Sequence, residues 1–331
     1  SGSSDTPADP QAGRTGQAST ATPEPEAPTV PKASKKIKLP GSTSTLYESN
    51  LDPIKLASYS LGLGDKFALY TREPGTDRFV KNDKYFDYVP NTAGTQVLGL
   101  DRQQDTATYS LASVIDPQTG SASKVRITKA PIYPRTPQWS PDGKFALVTL
   151  DEFLTDGSTK PYGFAIIDIE TKKAKVVPVK ETDAGKWSYF WRSDGRAVGT
   201  WALTETTQRI RFYDLDGVVL QTLLDVGTPI TVEGYDVSPS GSSLLTYCKG
   251  TTKEICVWSI TTDGPPQATI PFESTRLVGW YDDKHIAGWR RKGSGYEAVV
   301  FDLKGKAQRV LATTTNGEDF EGQFMVFIRD N

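Results

Sequence analysis

The residues with the most specific possible chemistry in this sequence are two cysteines and one histidine. Cys248 and Cys256 are its only cysteines, and they flank the segment 249–255. In a hairpin centred on Thr252 the two cysteines lie opposite each other with both side chains on one face, which allows a cross-strand disulfide. Two separate buried thiols are the alternative. A metal site is not favoured at this position, because no histidine lies nearby.

His285 is the single histidine, and we expect it in a solvated turn beside Asp282, Asp283 and Lys284. A Ser-His-Asp or Cys-His mechanism would have to use this one residue, and a multi-histidine metal site needs more than one. Hydrolysis by a carboxylate pair is compatible with the 40 Asp and Glu residues, although no spacing singles out a pair. We therefore assign no catalytic residue, no metal ligand and no cofactor.

Two short motifs are interpreted as turns rather than as ligand sites. Asp214-Leu215-Asp216-Gly217 matches a fragment of a calcium loop but lacks the remaining ligands. Gly293-Ser294-Gly295 joins two apolar strands instead of a strand and a helix, so it predicts a hairpin turn and not a phosphate-binding loop.

A repeated strand-turn-strand unit organises the rest of the chain. Its best copy is the segment 137–150, which contains the turn Trp139-Ser140-Pro141-Asp142-Gly143-Lys144, and weaker copies are 189–198, 235–245 and 278–287. The turn markers are Gly94, Gly143, Gly195, Gly241 and Asp283, and the steps between them are 49, 52, 46 and 42 residues. A period in the forties that carries four short strands is typical of β-propeller blades.

The turn of the best copy resembles the marker of the WD-repeat-like propeller family related to TolB. The resemblance covers about residues 84–313 and implies an all-β propeller that serves mainly as a binding platform. We predict six four-stranded blades. Their bounds are 84–131, 132–182, 187–231, 232–273, 274–313, and an incomplete blade at 56–82. The apolar run 323–328 has no blade of its own, so we expect it to complete the incomplete blade and close the ring.

The composition divides the chain into a tether and a domain. Residues 1–45 are rich in Pro, Ala, Ser and Thr and predict a disordered tether, whereas 46–331 is long enough for one large β-domain. The lysines at positions 32, 35, 36 and 38 are interpreted as part of a solvated linker. The formal charge of −2 gives no reason to expect nucleic acid as a partner, and no apolar run is long enough for a transmembrane helix.

Aromatic residues divide into packing and binding candidates. Tryptophans 139, 191 and 280 recur at one place in the repeat and are expected to pack between blades. Loops over a rigid scaffold concentrate binding residues, and the long connection 151–162 shares its end of the ring with the connections between blades. The binding candidates at that end are Tyr133, Phe153, Tyr162, Trp187, Arg290 and Tyr296.

Two functional hypotheses follow. The first is a non-enzymatic binding or sensor propeller, secreted or anchored to the outer side of a bacterial membrane, that recognises a protein or a cell-envelope glycan. A disulfide between the cysteines would favour this extracytoplasmic location. The alternative is an envelope glycan hydrolase or lyase that uses carboxylates in the central funnel of the ring. Converging acids with a raised pKa would favour the alternative, and an apolar or plugged channel would count against it.

Overall fold

The structure, a computed structural model, describes residues 29–329. These residues form 26 β-strands, one short helix and one 3-10 turn, and the strands are grouped into sheets arranged as a propeller around a central channel. The predicted all-β propeller is therefore confirmed. No helix in this range is both long and apolar enough to cross a membrane.

The first described strands extend the edge of the ring. Strands β1 (Lys35–Lys38) and β2 (Ser44–Glu48) form an antiparallel hairpin, and β2 pairs with the outer strand of the last blade. Residues 35–38 and 44–45 thus belong to a sheet, although the sequence analysis assigned them to the tether. The tether assignment of residues 1–28 lies outside the described residues.

Blades 1 and 2 follow the hairpin. Blade 1 contains, from the channel outwards, β26 (Gln323–Arg329), β3 (Ile54–Leu61), β4 (Ala68–Arg72) and β5 (Phe79–Asn82). Its inner strand is the C-terminal strand, so the first and last parts of the propeller share one sheet. The 3-10 turn Gly64–Lys66 connects β3 to β4. Blade 2 contains β6 (Tyr85–Pro90), β7 (Val97–Asp101), β8 (Tyr109–Ile115) and β9 (Ala122–Lys129).

Blades 3 and 4 have the same meander of four antiparallel strands. Blade 3 contains β10 (Ile132–Trp139), β11 (Phe145–Phe153), β12 (Thr159–Asp168) and β13 (Lys173–Pro178). Blade 4 contains β14 (Phe190–Trp191), β15 (Ala197–Leu203), β16 (Gln208–Asp214) and β17 (Val219–Leu224).

The last part of the ring departs from this pattern. A partial blade contains only β19 (Ser243–Tyr247), β20 (Ile255–Ser259) and β21 (Ala268–Ile270), while the short strand β18 (Thr231–Val232) precedes it. Blade 5 contains β22 (Arg276–Asp282), β23 (His285–Lys292), β24 (Gly295–Asp302) and β25 (Ala307–Thr314). Helix α1 (Gly317–Gly322) then leads into β26.

The prediction of six four-stranded blades is wrong, because the structure has five complete blades. The segment expected to supply the inner strand of the partial blade pairs instead with β22 of blade 5 in a parallel ladder, at Thr231 and Val232. Two isolated bridges, Thr228 with Tyr247 and Val237 with Leu244, join this part of the chain to the sheet of the partial blade. The buried carboxylate of Glu233 explains the displacement, since its hydrogen-bond donors lie in blades 5 and 1.

Local turn chemistry explains why the repeat folds as strand, turn and strand. In the best copy, the Phe145 amide donates to Ser140 Oγ at 3.0 Å and the Lys144 amide donates to Asp142 Oδ1 at 3.0 Å. Gly143 has φ +73°, a left-handed conformation that glycine adopts without strain. These bonds fix the turn and therefore the register of β10 on β11.

The recurring tryptophans join neighbouring sheets, as predicted. Trp139 Nε1 donates to the Val89 carbonyl at 2.7 Å, and Trp191 Nε1 donates to the Gln138 carbonyl at 3.0 Å. Trp280 Nε1 donates to the Asp236 carbonyl at 3.3 Å. In each case the acceptor belongs to the preceding inner segment, so these rings serve inter-blade packing and not ligand stacking.

One end of the ring, which we call the upper face, carries the connections between blades. It also carries the connections between the second and third strands of each blade, such as segments 154–158 and 204–207. The opposite end, with segments 140–144 and 192–196, is the lower face. This separation follows from the antiparallel order of the strands.

The single histidine is not a solvated residue, so that prediction is wrong. His285 is 4% exposed because it pairs with Asp282 across a tight turn at the start of β23. Its Nδ1 lies 2.9 Å from Asp282 Oδ1, and its ring meets the Tyr281 ring edge to face. The histidine therefore stabilises a turn of blade 5.

The two other motifs are turns, as predicted. Asp214 Oδ1 accepts hydrogen bonds from the amides of Asp216 and Val218, both at 2.9 Å. Lys292 pairs with Gly295 across a hairpin. Within residues 29–329, no group of three His, Cys, Asp or Glu side chains could hold a metal ion.

The predicted disulfide is confirmed, with a corrected register. Cys248 and Cys256 are bonded with their Cα atoms 5.0 Å apart. Tyr247 pairs with Ile255, and the Cys248 amide donates to the Glu254 carbonyl at 3.1 Å. Cys248 is therefore opposite Glu254, and the bond runs diagonally instead of directly across the hairpin.

Replacing Cys248 and Cys256 together with Ser is expected to weaken the fold without abolishing it. The bond closes a short loop, for which chain entropy gives about 2 to 3 kcal/mol at most, and a domain of this size then melts a few degrees lower. Scanning calorimetry of the double variant and of the reduced wild type measures this, and the two should agree. An unchanged melting temperature in both samples would contradict the expectation.

Candidate functional site

The main cavity among the described residues is the central channel, which has a volume of about 740 Å³. Its walls are the inner strands β26, β6, β10 and β14 and the displaced segment 230–239. Five inner segments therefore surround the channel, because the displaced segment lies between β22 and the cavity. A Cβ added at Gly234 would lie 2.7 Å from the Val278 carbonyl oxygen, so glycine permits this close approach.

Two carboxylates line the channel without a side-chain partner among residues 29–329. Asp87 follows a β-bulge at Phe86, and Asp236 lies in the displaced segment. Both side chains are partly exposed, and no other side chain among residues 29–329 donates a hydrogen bond to either of them. Burial among protein atoms raises the pKa of Asp87 to about 6 and the pKa of Asp236 to about 7.

The cations nearest the channel are occupied by other groups. Arg135 Nε donates to Asp151 at 2.6 Å, and its Nη1 donates to Ser188 at 2.7 Å. Arg329 donates to the carbonyls of Trp280 and Tyr281 at 2.9 and 3.0 Å. Burial lowers the pKa of Arg329, in keeping with the absence of a carboxylate contact within the described residues.

Glu233 is a third acid beside the channel, but it is fully engaged in the fold. Trp289 Nε1 donates to its Oε1 at 2.5 Å, the Met325 amide donates to its Oε2 at 2.6 Å, and Arg276 Nη1 lies at 3.8 Å. Burial nevertheless raises the pKa of Glu233 to about 7, because desolvation outweighs the favourable effect of Arg276. This carboxylate connects the displaced segment to blades 5 and 1.

Aromatic side chains line parts of the same cavity. Trp187 is half-buried against the core beside blade 4, and Phe324 is 38% exposed at the upper end of β26. Tyr235 lies under the Arg329 guanidinium, whose carbon is 5.1 Å from the ring centroid. The channel thus combines apolar surface with a few polar groups, as ligand pockets usually do.

The upper face exposes six of the ten exposed large apolar side chains among residues 29–329. These six are Leu63, Phe86, Phe153, Leu154, Leu224 and Phe324. Phe86 contacts Phe67 edge to face, with Arg102 over both rings at 5.9 and 4.9 Å. An aromatic and arginine group of this kind is typical of binding hot spots.

The binding candidates in blade 3 are partly brought together. Tyr133 and Phe153 have ring centroids 4.9 Å apart, and Phe153 is 50% exposed. Tyr162 packs against the core between blades 2 and 3. Trp187 is the one candidate that lines the channel.

The candidates in blade 5 lie elsewhere on the ring. Arg290 Nε donates to Glu297 at 2.9 Å, and the Tyr296 ring stacks on Phe320 with centroids 3.9 Å apart. Blades 3 and 5 are separated by other sheets in both directions, so the six candidates do not form one continuous surface.

Sequence reasoning missed Asp87, Asp236, Phe86 and Phe324. A signal was present, since Asp87 interrupts the aromatic run Tyr85–Tyr88 of an inner strand and Asp236 is the second residue of the repeat copy 235–245. An acid within an apolar inner strand faces either a partner or the channel, and the sequence could not distinguish these cases.

Comparisons with known proteins show the fold alone. No protein-family model and no curated protein matches the sequence. Among solved structures, an oligogalacturonate lyase in complex with manganese is 11% identical with a TM-score of 0.52, and the match covers 86% of this chain and 85% of that one. TolB from Acinetobacter baumannii is 14% identical with a TM-score of 0.49 over 81% of this chain. The Dos1 propeller is 13% identical with a TM-score of 0.44, over 82% of this chain and 75% of that one.

The match covers 65% of the TolB chain, less than two thirds of its length. The match to the oligogalacturonate lyase, at 11% identity, supports the propeller architecture alone, whereas membership of the TolB-related family stays a prediction from the turn motif.

Proposed function

We propose that this protein is an extracytoplasmic binding propeller that recognises a partner protein through its upper face. The observation that carries the proposal is the concentration of exposed apolar side chains on that face, including Phe86 and Phe153 at 49% and 50% exposure. Exposed apolar patches on a folded domain mark interaction sites, and aromatic side chains are favoured at their centres. A face that exposes leucine and phenylalanine side chains is better matched to the apolar surface of a partner protein than to a hydroxyl-rich glycan.

The location outside the cytoplasm is supported by the disulfide. Cys248 and Cys256 form a disulfide bond. Cytosolic reductants would keep these thiols reduced, whereas disulfides persist in secreted and surface proteins. We further propose that residues 1–28 serve as a tether that anchors the propeller. The Arg309 guanidinium donates to the Pro31 carbonyl at 2.9 Å near the lower end of β25, so a tether would join the lower face and direct the upper face away from its anchor.

The proposed function predicts that a partner captured from an envelope fraction depends on the upper face. Replacing Phe86 and Phe153 with Ala should weaken binding of that partner at least tenfold, because buried aromatic anchors dominate interface energy. Leu51→Ala is the matched control, since Leu51 is 79% exposed on the lower face. Surface plasmon resonance with the captured partner measures the change. Equal weakening in the control, or none in the double variant, would contradict the proposal.

A second candidate function is carboxylate-dependent hydrolysis or lysis of an envelope glycan. The observation that favours it is the pair of channel acids with raised pKa, Asp87 and Asp236. A carboxyl group with a pKa near 6 or 7 can act as a general acid or base at neutral pH. This function would be supported over binding alone if the wild type turned over an envelope glycan and the variants Asp87→Asn or Asp236→Asn did not.

A further inference from the structure

The channel has an unmet requirement for positive charge. A carboxylate removed from bulk water usually gains a cation or hydrogen-bond donors, because desolvation without a partner is costly. Glu233 follows this rule with its three partners, whereas Asp87 and Asp236 face the cavity without any from the described side chains. The two acids are therefore available to a ligand.

The protein's own cations do not meet this requirement. Arg135 pairs with Asp151, Arg276 donates to the carbonyls of Gln323 and Phe320, and Arg329 also donates to main-chain carbonyls. Lys186 is exposed in the connection between blades 3 and 4 at the upper face. Each cation that lines or adjoins the cavity thus has a structural partner or lies in solvent.

The dimensions and the rim of the cavity indicate the kind of ligand. A volume of about 740 Å³ lies within the usual range for ligand pockets, roughly 300 to 1,000 Å³, and exceeds what a single inorganic cation needs. Trp187 and Phe324 provide apolar and π surface on the wall, which suits an aliphatic chain that ends in a positive charge. Lysine has this combination of a methylene stem and an ammonium group.

We propose that the central channel binds a lysine-bearing peptide segment, with Asp87 and Asp236 accepting hydrogen bonds from its ammonium groups. The inference deepens the proposed function, on which it rests in one respect: a partner docked on the upper face would supply the segment. Charge complementarity and the aromatic wall select a cationic peptide over an anionic one.

The test is calorimetric titration with acetyl-Lys-Lys-Lys-amide at low salt. The wild type should bind this peptide saturably, and the variant Asp87→Asn with Asp236→Asn should bind at least tenfold more weakly. Glu205→Gln is the matched control, because it removes one exposed acid of the upper face outside the cavity, and it should bind like the wild type. The tri-glutamate peptide should not bind. Equal binding by the double Asn variant, or equal loss in the control, would overturn the proposal.

Proton release gives a second readout that a structural effect would not produce. A bound ammonium lowers the pKa of the two channel acids, which are partly protonated near pH 6 to 7 because burial raises their pKa to about 6 and about 7. Titrations at pH 6.5 in two buffers of different ionisation enthalpy should therefore show protons released by the wild type and few by the double Asn variant. No release by the wild type would count against the site.

The outcome is separable from that of the proposed function. The Phe86→Ala and Phe153→Ala variant leaves the channel acids unchanged, so it should lose the envelope partner and keep the tri-lysine peptide. If this variant lost the peptide together with the partner, the channel site alone would be overturned. If it kept both the peptide and the partner, the upper-face proposal alone would be overturned.

Discussion

Deletion of residues 323–329 should convert this protein into an insoluble or non-cooperatively melting chain. These residues form β26, the inner strand of blade 1, which pairs with β3 along its length. Met325 and Phe327 are 0% and 4% exposed, and the Met325 amide is a donor to buried Glu233. The deletion therefore opens the ring, exposes the edge of β3 and removes the Met325 amide donor from buried Glu233.

Point variants in the same strand provide the matched comparison. Phe327→Ala should cost about 3 to 5 kcal/mol, the usual range for a buried phenylalanine. Phe324→Ala, at a side chain that is 38% exposed, should cost much less. Thermal melting and soluble yield measure both effects. Unchanged melting of the truncated protein would show that β26 is not the closing strand.

Glu233→Ala is the single substitution with the largest expected effect on stability. It removes the acceptor of Trp289 Nε1 and of the Met325 amide and leaves Arg276 without its carboxylate. Removing a buried carboxyl group of this kind lowers the free energy of unfolding by about 3 to 5 kcal/mol, because the donors that remain stay desolvated. Chemical denaturation at pH 7 measures the loss. Glu233→Gln keeps one acceptor oxygen and should lose less stability than the Ala variant.

The same carboxylate gives a pH dependence of unusual sign. The pKa of Glu233 is about 7 in the folded protein, against an ordinary value of 4.5, so the folded state retains the proton to higher pH than the unfolded state. Its contribution is therefore most favourable below about pH 4.5 and is lost as the pH rises through 7, by about 3 kcal/mol. Glu233→Gln should remove this part of the slope. A slope identical to that of the wild type would contradict the assignment.

Asp87 and Asp236 should add to the slope with the same sign, because burial raises the pKa of both. A residual fall in stability between about pH 4.5 and 7 is thus expected in Glu233→Gln, and this fall should vanish when all three acids are replaced by their amides.

The sequence by itself determined the elements and their local chemistry. The turn Trp139–Lys144 carries its own hydrogen bonds within a few residues, so its copies predicted strands, blade bounds and the inter-blade tryptophans. The hairpin between Cys248 and Cys256 is equally local, and its spacing allowed the disulfide, although two separate thiols were the alternative and the predicted register was wrong. Interactions over short distances in the chain are readable because few alternatives compete with them.

Only the tertiary structure decided the blade count and the channel. The displaced segment leaves its own sheet because Glu233 finds donors in Trp289 and Met325, which are 56 and 92 residues away in sequence. Asp87, Asp236 and Phe324 likewise come from distant parts of the chain, and they line one cavity because the ring closes through β26. A repeat pattern specifies blades one at a time, whereas the contents of a central channel depend on how all inner segments meet, and that is a property of the closed ring alone.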